Sequence, residues 1–424
     1  MTITVERSGL GGTVRAPASK SVMIRALAAA LLSRGVTVLH HPSRCDDALA
    51  ALQVIRALGA DVEEEQDRWT VRGGIALRED VLDVGESGLT ARLFTPLAAL
   101  LSQPMTLTGR GSLLKRPMTM VEEPLRSLGV TVTTTGGSLP LTVRGPLRGG
   151  EALVDGSKGS QFLTGLLMSL PLTEGESLLE VQELRSIPYI DLTLDVMRHF
   201  GVTAEHDSQY SRFRIPGNQQ YRAAEMEIEG DWSGGAFLLV AAALAGDLKV
   251  TGLDTQSAQA DRAILEALQR AGVAMEEVGE YLLVRQGEIR PFTFDITHCP
   301  DLAPPLVCLG AAAPGHTVLR GAGRLREKES DRAETLQELA GRLGVRIDLE
   351  GDEMIIHGGT LHGGDAEAHQ DHRIAMAAAV MALRAPQPVT IHGAECVNKS
   401  YPNFFGDLEK LGGKVKEEDE AMMR

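Results

Sequence analysis

The chain repeats one pattern of about 70 residues six times, and this periodicity limits the folds that it can adopt. Each copy contains an amphipathic helix pattern that ends in glycine and is followed by β-branched residues typical of a strand. The closing glycines are Gly59, Gly129, Gly201, Gly272, Gly344 and Gly412. Successive glycines lie 68 to 72 residues apart. The sequence therefore predicts six similar folding units.

A second series of helix patterns runs in step with the first, and its members have almost no polar face. They begin at Ser19-Lys20-Ser21, Ser87-Gly88, Gly159-Ser160, Trp232-Ser233-Gly234, Pro300-Asp301 and Asp371-His372. A helix that is apolar on all sides is buried. We therefore expect each unit to have the order β-α-β-α-β-β, with one buried and one half-exposed helix.

Six such units contain more core than one globule can hold. We expect an α/β (α+β) protein with two domains of three repeats each and a boundary near Glu229-Gly230-Asp231. A solenoid is the alternative architecture.

Composition excludes several functional classes. With 42 Lys+Arg against 57 Asp+Glu, the formal charge of −15 repels nucleic acid, and an aromatic content of 4% leaves few side chains to stack on bases. The longest apolar runs, 236–246 and 374–383, are shorter than the ~18 residues of a membrane span. The first residues lack an export signal, and we expect a cytoplasmic protein.

The spacing of the cysteines and the absence of common catalytic motifs exclude further classes of protein. Four cysteines lie far apart without metal-binding spacing, and we expect them to be reduced core residues: Cys45, Cys299, Cys308 and Cys396. The sequence has no dinucleotide fingerprint, P-loop, zincin motif or nucleophile elbow.

Basic side chains recur at equivalent places in the repeats, at the starts of buried helices and in nearby loops. They are Lys20, Arg25, Arg92, Lys115, Arg116, Lys328, Arg332, Arg373 and Lys399. Helix N-termini attract anions, and arginine binds phosphate and carboxylate through two nitrogens. We therefore expect one composite anion site at the junction of the two domains. Lys328 and Arg332 are expected to share one helix face.

Two carboxylates, Asp301 and Glu329, stand among these cations. Asp301 precedes a buried helix, where a carboxylate often caps the N-terminus. A carboxylate close to a substrate hydroxyl can also transfer a proton. The residues alone leave both roles of Asp301 open.

Nine motifs in order make the whole chain resemble the 5-enolpyruvylshikimate-3-phosphate synthase (3-phosphoshikimate 1-carboxyvinyltransferase) family of enolpyruvyl transferases. They are ASKSVMIRAL, GESGLTAR, LKRPM, DGSKGSQFLTGLL, RSIPYIDLTL, HCPDLAPP, REKESDR, DHRIAM and NKSYPNFF. The resemblance implies one domain of residues 19–229 and another of residues 1–18 and 230–424, joined by two crossover strands. It also implies that the domains close over an active site in the cleft between them.

The resemblance implies a reaction of the shikimate pathway, on the route to chorismate and aromatic amino acids. The enolpyruvyl group of phosphoenolpyruvate is transferred to the 5-hydroxyl of shikimate 3-phosphate, and phosphate is released. No metal or organic cofactor is implied, the partners are these small molecules, and we expect a monomer.

The family's site residues are carried over by position. Shikimate 3-phosphate is implied to contact Lys20, Ser21, Arg25, Ser160, Gln161, Ser186, Asp301 and Lys328. Phosphoenolpyruvate is implied to contact Lys20, Gly88, Arg116, Gln161, Arg332, His372, Arg373 and Lys399. Asp301 is implied to take the 5-hydroxyl proton, with Lys20 and Glu329 handling the methylene proton.

The chain departs from the family pattern at three places. It has Glu86-Ser87-Gly88-Leu89 where Asn-Ala-Gly-Thr is usual, Gly159-Ser160-Gln161 for Ser-Ser-Gln, and Pro17-Ala18 for Pro-Gly. The first departure puts a carboxylate beside the phosphoenolpyruvate site, and the second removes one hydroxyl from the shikimate site.

Two other functions compete with this interpretation. The sister family of UDP-N-acetylglucosamine enolpyruvyl transferases has Lys-Asn where this chain has Lys20-Ser21, and commonly a cysteine where this chain has Gly111. A non-catalytic binding protein would not require Lys20, Asp301, Glu329 and Lys399 together.

Overall fold

The computed structural model describes residues 1–418, and within them helices and strands alternate as the repeats predict. The helices are α1 Lys20–Leu32, α2 Asp46–Ala57, α3 Gly88–Ala98, α4 Glu122–Ser127, α5 Gln161–Ser169, α6 Pro188–His199, α7 Trp232–Ala245, α8 Ile264–Arg270, α9 Ala303–Ala311, α10 Arg332–Arg342, α11 His372–Ala382 and α12 Phe404–Lys410.

The strands are β1 Thr2–Glu6, β2 Leu10–Arg15, β3 Gly35–His40, β4 Asp61–Glu64, β5 Arg68–Gly73, β6 Val81–Asp83, β7 Pro104–Thr108, β8 Thr131–Thr135, β9 Ser138–Arg144, β10 Glu151–Asp155, β11 Ser177–Gln182, β12 Glu205–His206, β13 Arg212–Ile215, β14 Glu225–Glu227, β15 Gly246–Thr251, β16 Ala274–Val278, β17 Tyr281–Arg285, β18 Thr293–Asp295, β19 Gly315–Arg320, β20 Arg346–Glu350, β21 Glu353–Gly358, β22 Gly364–Glu367, β23 Val389–His392 and β24 Lys414–Glu418. The expected mixed α/β class is confirmed.

Six four-stranded sheets share one topology. Their strand orders are β14-β3-β5-β4, β6-β7-β9-β8, β10-β11-β13-β12, β2-β15-β17-β16, β18-β19-β21-β20 and β22-β23-β1-β24. In each sheet the first pair is parallel and the other two pairs are antiparallel. A parallel pair requires a crossover connection.

Three of the six sheets take one strand from a distant part of the sequence. The sheet around β3 receives β14, the sheet around β15 receives β2, and the sheet around β23 receives β1. The repeat pattern alone did not reveal these exchanges.

The chain separates into two compact units, which we call the continuous unit, Ala18–Glu229, and the split unit, Met1–Pro17 with Gly230 onward. The chain passes from one unit to the other twice, and the residues at these two crossings form short backbone hydrogen bonds. Ser19 N–H donates to the Glu229 carbonyl at 2.8 Å, and Asp231 N–H donates to the Pro17 carbonyl at 2.7 Å.

The apolar helices form the centre of each unit. In the continuous unit, α3 packs against α1 and α5, and in the split unit α7, α9 and α11 pack against one another. Every residue of α3, α7, α9 and α11 is buried. The expectation of buried helices is therefore confirmed.

The closing glycines follow the amphipathic helices as expected, with φ between 79° and 123°. These backbone conformations are open to glycine and strained for other residues. Among the cysteines, Cys45, Cys299 and Cys308 are buried, and Cys396 is half-buried. Across residues 1–418, we find no helix with the length and apolar character needed to cross a membrane.

Candidate active site

In the continuous unit, the N-terminal turns of the three central helices meet. Arg92, in the second turn of α3, donates from Nη1 to Gln161 Oε1, at the start of α5, at 2.7 Å. Arg25 in α1 donates from Nη2 to Thr164 Oγ1 in α5 at 3.4 Å. The free N–H groups of these turns favour anions. The side chain of Gln161 is therefore oriented by Arg92, which belongs to the expected anion site but not to the residues implied to contact either substrate.

Arg25 is a buried cation held by neutral groups. Its side chain is 1% exposed and donates to Thr193 Oγ1 and to the Ser21 carbonyl, both at 2.9 Å. Among residues 1–418, no carboxylate forms an ion pair with it, and burial lowers its pKa to about 10 despite the opposing effect of Tyr189. The guanidinium remains charged at neutral pH. Because a buried charge is costly unless it is paired, this position is suited to an anionic ligand.

Two serines of the predicted shikimate set precede helices that pack near Arg25. Ser160 is buried and directly precedes α5, and Ser186 lies two residues before α6. Ser186 has a φ of 57°, which is uncommon for a residue with a side chain. Strained backbone of this kind occurs at ligand-binding positions. Helix α6, which follows Ser186, packs against α1, which carries Arg25, and against α5, which follows Ser160.

Lys20 is held by a carboxylate that the sequence did not single out. Its Nζ donates to Asp47 Oδ2 at 2.9 Å, and both side chains are largely buried. Lys20 is the first residue of α1, which Ser19 caps by accepting from Val22 N–H at 3.3 Å. Asp47 is in the first turn of α2. The pair fixes the ammonium group at the start of a buried helix.

Arg116 lies against the start of α3, where Gly88 leaves room for it. A Cβ added at Gly88 would lie 2.6 Å from Arg116 Nη1. The Nε atom of Arg116 is buried and has no hydrogen-bond partner among residues 1–418. Glu86 lies on the same loop, with its carboxylate against Gly111. A side chain at position 111, such as the cysteine of the sister family, would collide with Glu86.

In the split unit, Arg332 is the centre of an ion network. It is completely buried, and its Nε and Nη2 donate to Asp371 Oδ2 and Oδ1 at 2.9 and 3.1 Å. Nη1 donates to Asp301 Oδ1 at 2.8 Å, and Nη2 also donates to Glu329 Oε2 at 2.6 Å. Burial lowers the pKa of Arg332, but Asp371, Glu329 and Asp301 outweigh burial and raise it. Four of the five N–H groups of Arg332 are therefore engaged by carboxylates.

Asp301 is ionised and bound to cations, and it does not cap a helix. It lies in the short 3₁₀ helix Pro300–Leu302, and α9 begins after Leu302 without a side-chain cap. Its Oδ2 accepts from Arg373 Nη2 at 3.3 Å. Burial raises the pKa of Asp301, but the charges of Arg373, Lys328 and Arg332 outweigh it and hold the pKa well below its usual value. The capping alternative for Asp301 is therefore wrong.

Lys328 and Arg332 do not share a helix face, and that prediction is wrong. The 3₁₀ helix Ala322–Glu327 ends before Lys328, and α10 begins at Arg332 after its N-cap Asp331. Lys328 nevertheless reaches the same carboxylate, with Nζ 3.6 Å from Asp301 Oδ1. Burial lowers the pKa of Lys328 to about 8, against the opposing charge of Asp301.

The remaining predicted residues of the split unit are buried around the start of α11. His372 and Arg373 are its first two residues, and Asp371 caps it by accepting from Arg373 N–H at 3.0 Å. Lys399 Nζ donates to the Gln370 carbonyl at 3.4 Å, and this side chain is 7% exposed. Lys115, by contrast, is exposed.

The two clusters differ in their balance of charge. In the continuous unit, four basic side chains accompany two carboxylates: Lys20, Arg25, Arg92 and Arg116 with Asp47 and Glu86. In the split unit, four basic side chains accompany three carboxylates that all accept from Arg332: Lys328, Arg332, Arg373 and Lys399 with Asp301, Glu329 and Asp371. An excess of cations favours phosphate binding, whereas balanced ion pairs leave carboxylates that can accept protons. Within residues 1–418, no group of three or more potential metal ligands is present.

Comparison with known proteins gives consistent results over the whole chain. A family model described as "EPSP synthase (3-phosphoshikimate 1-carboxyvinyltransferase)" matches residues 5–421. Proteins named 3-phosphoshikimate 1-carboxyvinyltransferase are similar to this chain in Clostridium kluyveri, with 38% identity over 98% of both chains, and in Methanocorpusculum labreanum, with 36% identity over 99% of this chain and 100% of the relative.

Solved structures have the same fold. An EPSP synthase from Acinetobacter baumannii superimposes with a TM-score of 0.82 at 26% identity, covering 98% of this chain and 100% of that chain. The enolpyruvyl transferase NikO from Streptomyces tendae gives a TM-score of 0.79 at 19% identity, covering 98% of both chains. At that identity the second likeness shows the fold alone.

Replacing Asp371 by asparagine tests the network around Arg332. We expect Asp371→Asn to lower the free energy of unfolding by about 3–5 kcal/mol, because the buried guanidinium of Arg332 loses its main counter-charge. Urea denaturation followed by circular dichroism measures the change. Glu353→Gln is the matched control, since it breaks the exposed Arg320–Glu353 pair of 3.0 Å and should cost less than about 1 kcal/mol. Equal losses in the two variants would contradict this account.

Proposed function

The chain belongs to the EPSP synthase family, and we propose from this premise how its side chains carry out 3-phosphoshikimate 1-carboxyvinyl transfer. The reaction transfers the enolpyruvyl group of phosphoenolpyruvate to the 5-hydroxyl of shikimate 3-phosphate and releases phosphate. The chain is a transferase of the shikimate pathway, with small-molecule substrates. The observation that carries the residue assignment is Asp301, a carboxylate kept ionised by Arg373, Lys328 and Arg332.

Shikimate 3-phosphate is assigned first to the continuous unit. Arg25 offers a buried guanidinium held only by neutral groups, and Ser160 and Ser186 add hydroxyls just before α5 and α6. A phosphate dianion would supply the missing counter-charge. Lys20, Ser21 and Gln161 complete this set. Asp301 and Lys328 of the split unit are assigned to the ring hydroxyls of the same ligand.

Phosphoenolpyruvate is assigned to Arg116 at the start of α3, with Lys20, Gly88 and Gln161 beside it. From the split unit, Arg373 and Lys399 are assigned to its charged groups, with His372 next to them and Arg332 behind. Arg373 has one buried nitrogen, Nη1, without a hydrogen-bond partner among residues 1–418. Arg332 already donates to three carboxylates. It can therefore bind phosphoenolpyruvate directly only if it gives up one of these hydrogen bonds. The proposal thus assigns residues of both units to one pair of substrates.

The reaction needs one proton acceptor and one proton donor. The 5-hydroxyl oxygen attacks C2 of phosphoenolpyruvate and its proton passes to Asp301, while C3 receives a proton and becomes a methyl group. The tetrahedral intermediate then loses phosphate from C2 and a proton from C3, which restores the double bond. Lys20 and Glu329 are assigned to the transfers at C3.

Substrate binding would strengthen the base. In the structure Arg373 and Arg332 both donate to Asp301, which makes this carboxylate a weak proton acceptor. If the anionic groups of phosphoenolpyruvate compete for Arg373, the positive charge acting on Asp301 falls. The pKa of Asp301 then rises towards the usual range. The base is thereby activated when phosphoenolpyruvate is bound.

We also propose a cytoplasmic monomer that works without a metal or organic cofactor. The acid–base groups named above account for both proton transfers, so the mechanism requires no further group.

A phosphate-release assay with purified protein tests the function. We expect release from phosphoenolpyruvate with shikimate 3-phosphate and none with UDP-N-acetylglucosamine. Release with the sugar nucleotide alone would support the sister activity. Binding of both shikimate-pathway substrates without release would support a non-catalytic binding protein.

Replacing Asp301 by asparagine should abolish most turnover. We expect kcat to fall by roughly 10²–10⁴-fold, because a positioned general base contributes about this factor. Steady-state kinetics at saturating substrates measures it. Asp365→Asn, which alters an exposed carboxylate 3.2 Å from His392, should leave kcat unchanged. Turnover of Asp301→Asn within a few-fold of the original protein would remove Asp301 from this role.

Two changes should weaken phosphoenolpyruvate binding through the same guanidinium. Gly88→Ala places a methyl group against Arg116 and displaces it, whereas Arg116→Lys loses its planar fork. We expect at least a tenfold rise in KM for phosphoenolpyruvate in each variant. Arg110→Lys, which changes an exposed arginine 3.1 Å from Asp83, is the control. A normal KM in both test variants would contradict the assignment of Arg116.

The pKa of Lys328 predicts a pH dependence. Because burial lowers it to about 8, the ammonium group loses its proton, and its attraction for the anionic ligand, as pH rises through 8. We expect kcat/KM for shikimate 3-phosphate to fall above pH 8. Lys328→Gln should have a low kcat/KM for shikimate 3-phosphate that does not fall above pH 8. Lys410→Gln, which changes an exposed lysine, should retain the fall. A fall that persists in Lys328→Gln would assign it to another group.

A further inference from the structure

Asp261 is a buried carboxyl group that the mechanism above does not use. It lies in the short 3₁₀ helix Ala260–Ala263 before α8 and is 1% exposed. Its Oδ2 accepts from Ser233 Oγ, in the first turn of α7, at 2.5 Å. Its other oxygen, Oδ1, is buried without a hydrogen-bond partner among residues 1–418. A buried carboxylate with one unsatisfied oxygen is costly, so this group needs an explanation.

Two of the charged groups around Asp261, Asp301 and Arg373, belong to the proposed site. Asp301 and Asp231 act on it as like charges, and Arg373 acts as an opposite charge. The thiol of Cys299 also lies within its electrostatic reach. Arg373 has one buried nitrogen without a described partner, and its other terminal nitrogen donates to Asp301 Oδ2 at 3.3 Å. Helix α7, which carries Ser233, packs against both the 3₁₀ helix of Asp261 and the 3₁₀ helix of Asp301.

We infer that Asp261 is a positioning residue whose own ionisation adjusts the basicity of Asp301 and the charge available at Arg373. It would not touch substrate. The inference depends on the proposed function, in which Asp301 takes the 5-hydroxyl proton. Ser233 holds the carboxyl group in place, and the lack of a second partner leaves its charge uncompensated whenever it ionises.

The direction of the effect follows from electrostatics. Burial first, and then the charge of Asp301, raise the pKa of Asp261 to about 7, while Arg373 and the Ser233 hydrogen bond oppose the rise. Near neutral pH, Asp261 therefore changes between a neutral and an anionic form. When it is anionic, like-charge repulsion increases the proton affinity of Asp301, because the interaction between two titrating groups is mutual. Turnover should then increase as pH rises through 7.

The test compares the pH dependence of kcat, at saturating substrates, in the original protein and in Asp261→Asn. Asparagine imitates the neutral acid. We expect kcat of the original protein to rise roughly three- to tenfold between about pH 6 and 8, since general-base catalysis follows the basicity of the base. Asp261→Asn should stay near the low-pH value across this range. Glu266→Gln removes one charge from the exposed side of α8 and should retain the rise.

Ser233→Ala provides a second variant if Asp261→Asn does not fold. Removing the hydroxyl that stabilises the anion should move the rise in kcat to higher pH. A structural role alone would lower the melting temperature without changing the pH profile. The inference would be overturned if the pH profile of kcat in Asp261→Asn or Ser233→Ala differed from that of the original protein only by a constant factor. Failure of the original protein to release phosphate would instead overturn the proposed function.

Discussion

Helices without a polar face determine where charge can collect in this protein. Because α3, α7, α9 and α11 are buried along their whole length, polar groups are tolerated mainly at their ends. In both units, side chains near the N-terminal ends of neighbouring helices contact one another. This explains how Arg92 reaches Gln161 and how Arg373 reaches Asp301.

The two units use the same helix arrangement for different electrostatic purposes. Arg25 is a buried cation among hydroxyls and carbonyls, and it is ready to receive an anion. Arg332 is a buried cation already neutralised by Asp371, Asp301 and Glu329. The first arrangement favours ligand binding, and the second fixes carboxylates in position. Under the proposed assignment, one repeated fold provides both a binding site for phosphate and a framework for proton transfer.

Much of the fold could be predicted because it repeats. The six closing glycines and the polar starts of the apolar helices are sufficient to indicate the units. The exchanged strands β1, β2 and β14 were not apparent, since a strand pattern does not specify a partner hundreds of residues away. Sequence patterns also placed Lys328 on a helix that begins only at Arg332.

The candidate site was only partly accessible from the sequence. Cations were found because they recur at equivalent places in the repeats. Asp47, Asp371 and Asp261 were missed as site residues because each acts through a partner distant in sequence: Lys20, Arg332 and Ser233, respectively. In the sequence, each of these aspartates looks like an ordinary residue at a helix start. Only the fold shows that it faces a cation or a hydroxyl.

The position of β1 also has a consequence for synthesis on the ribosome. This strand is made before both of its neighbours in the sheet, β23 and β24, which follow the rest of the described strands in the chain. The continuous unit contains all the strands of its own sheets and can be completed while the rest of the chain is still being translated. Strand β1 must therefore remain without its sheet partners until β23 and β24 have been made. During that interval β1 is an open strand edge, and such edges invite pairing with other chains.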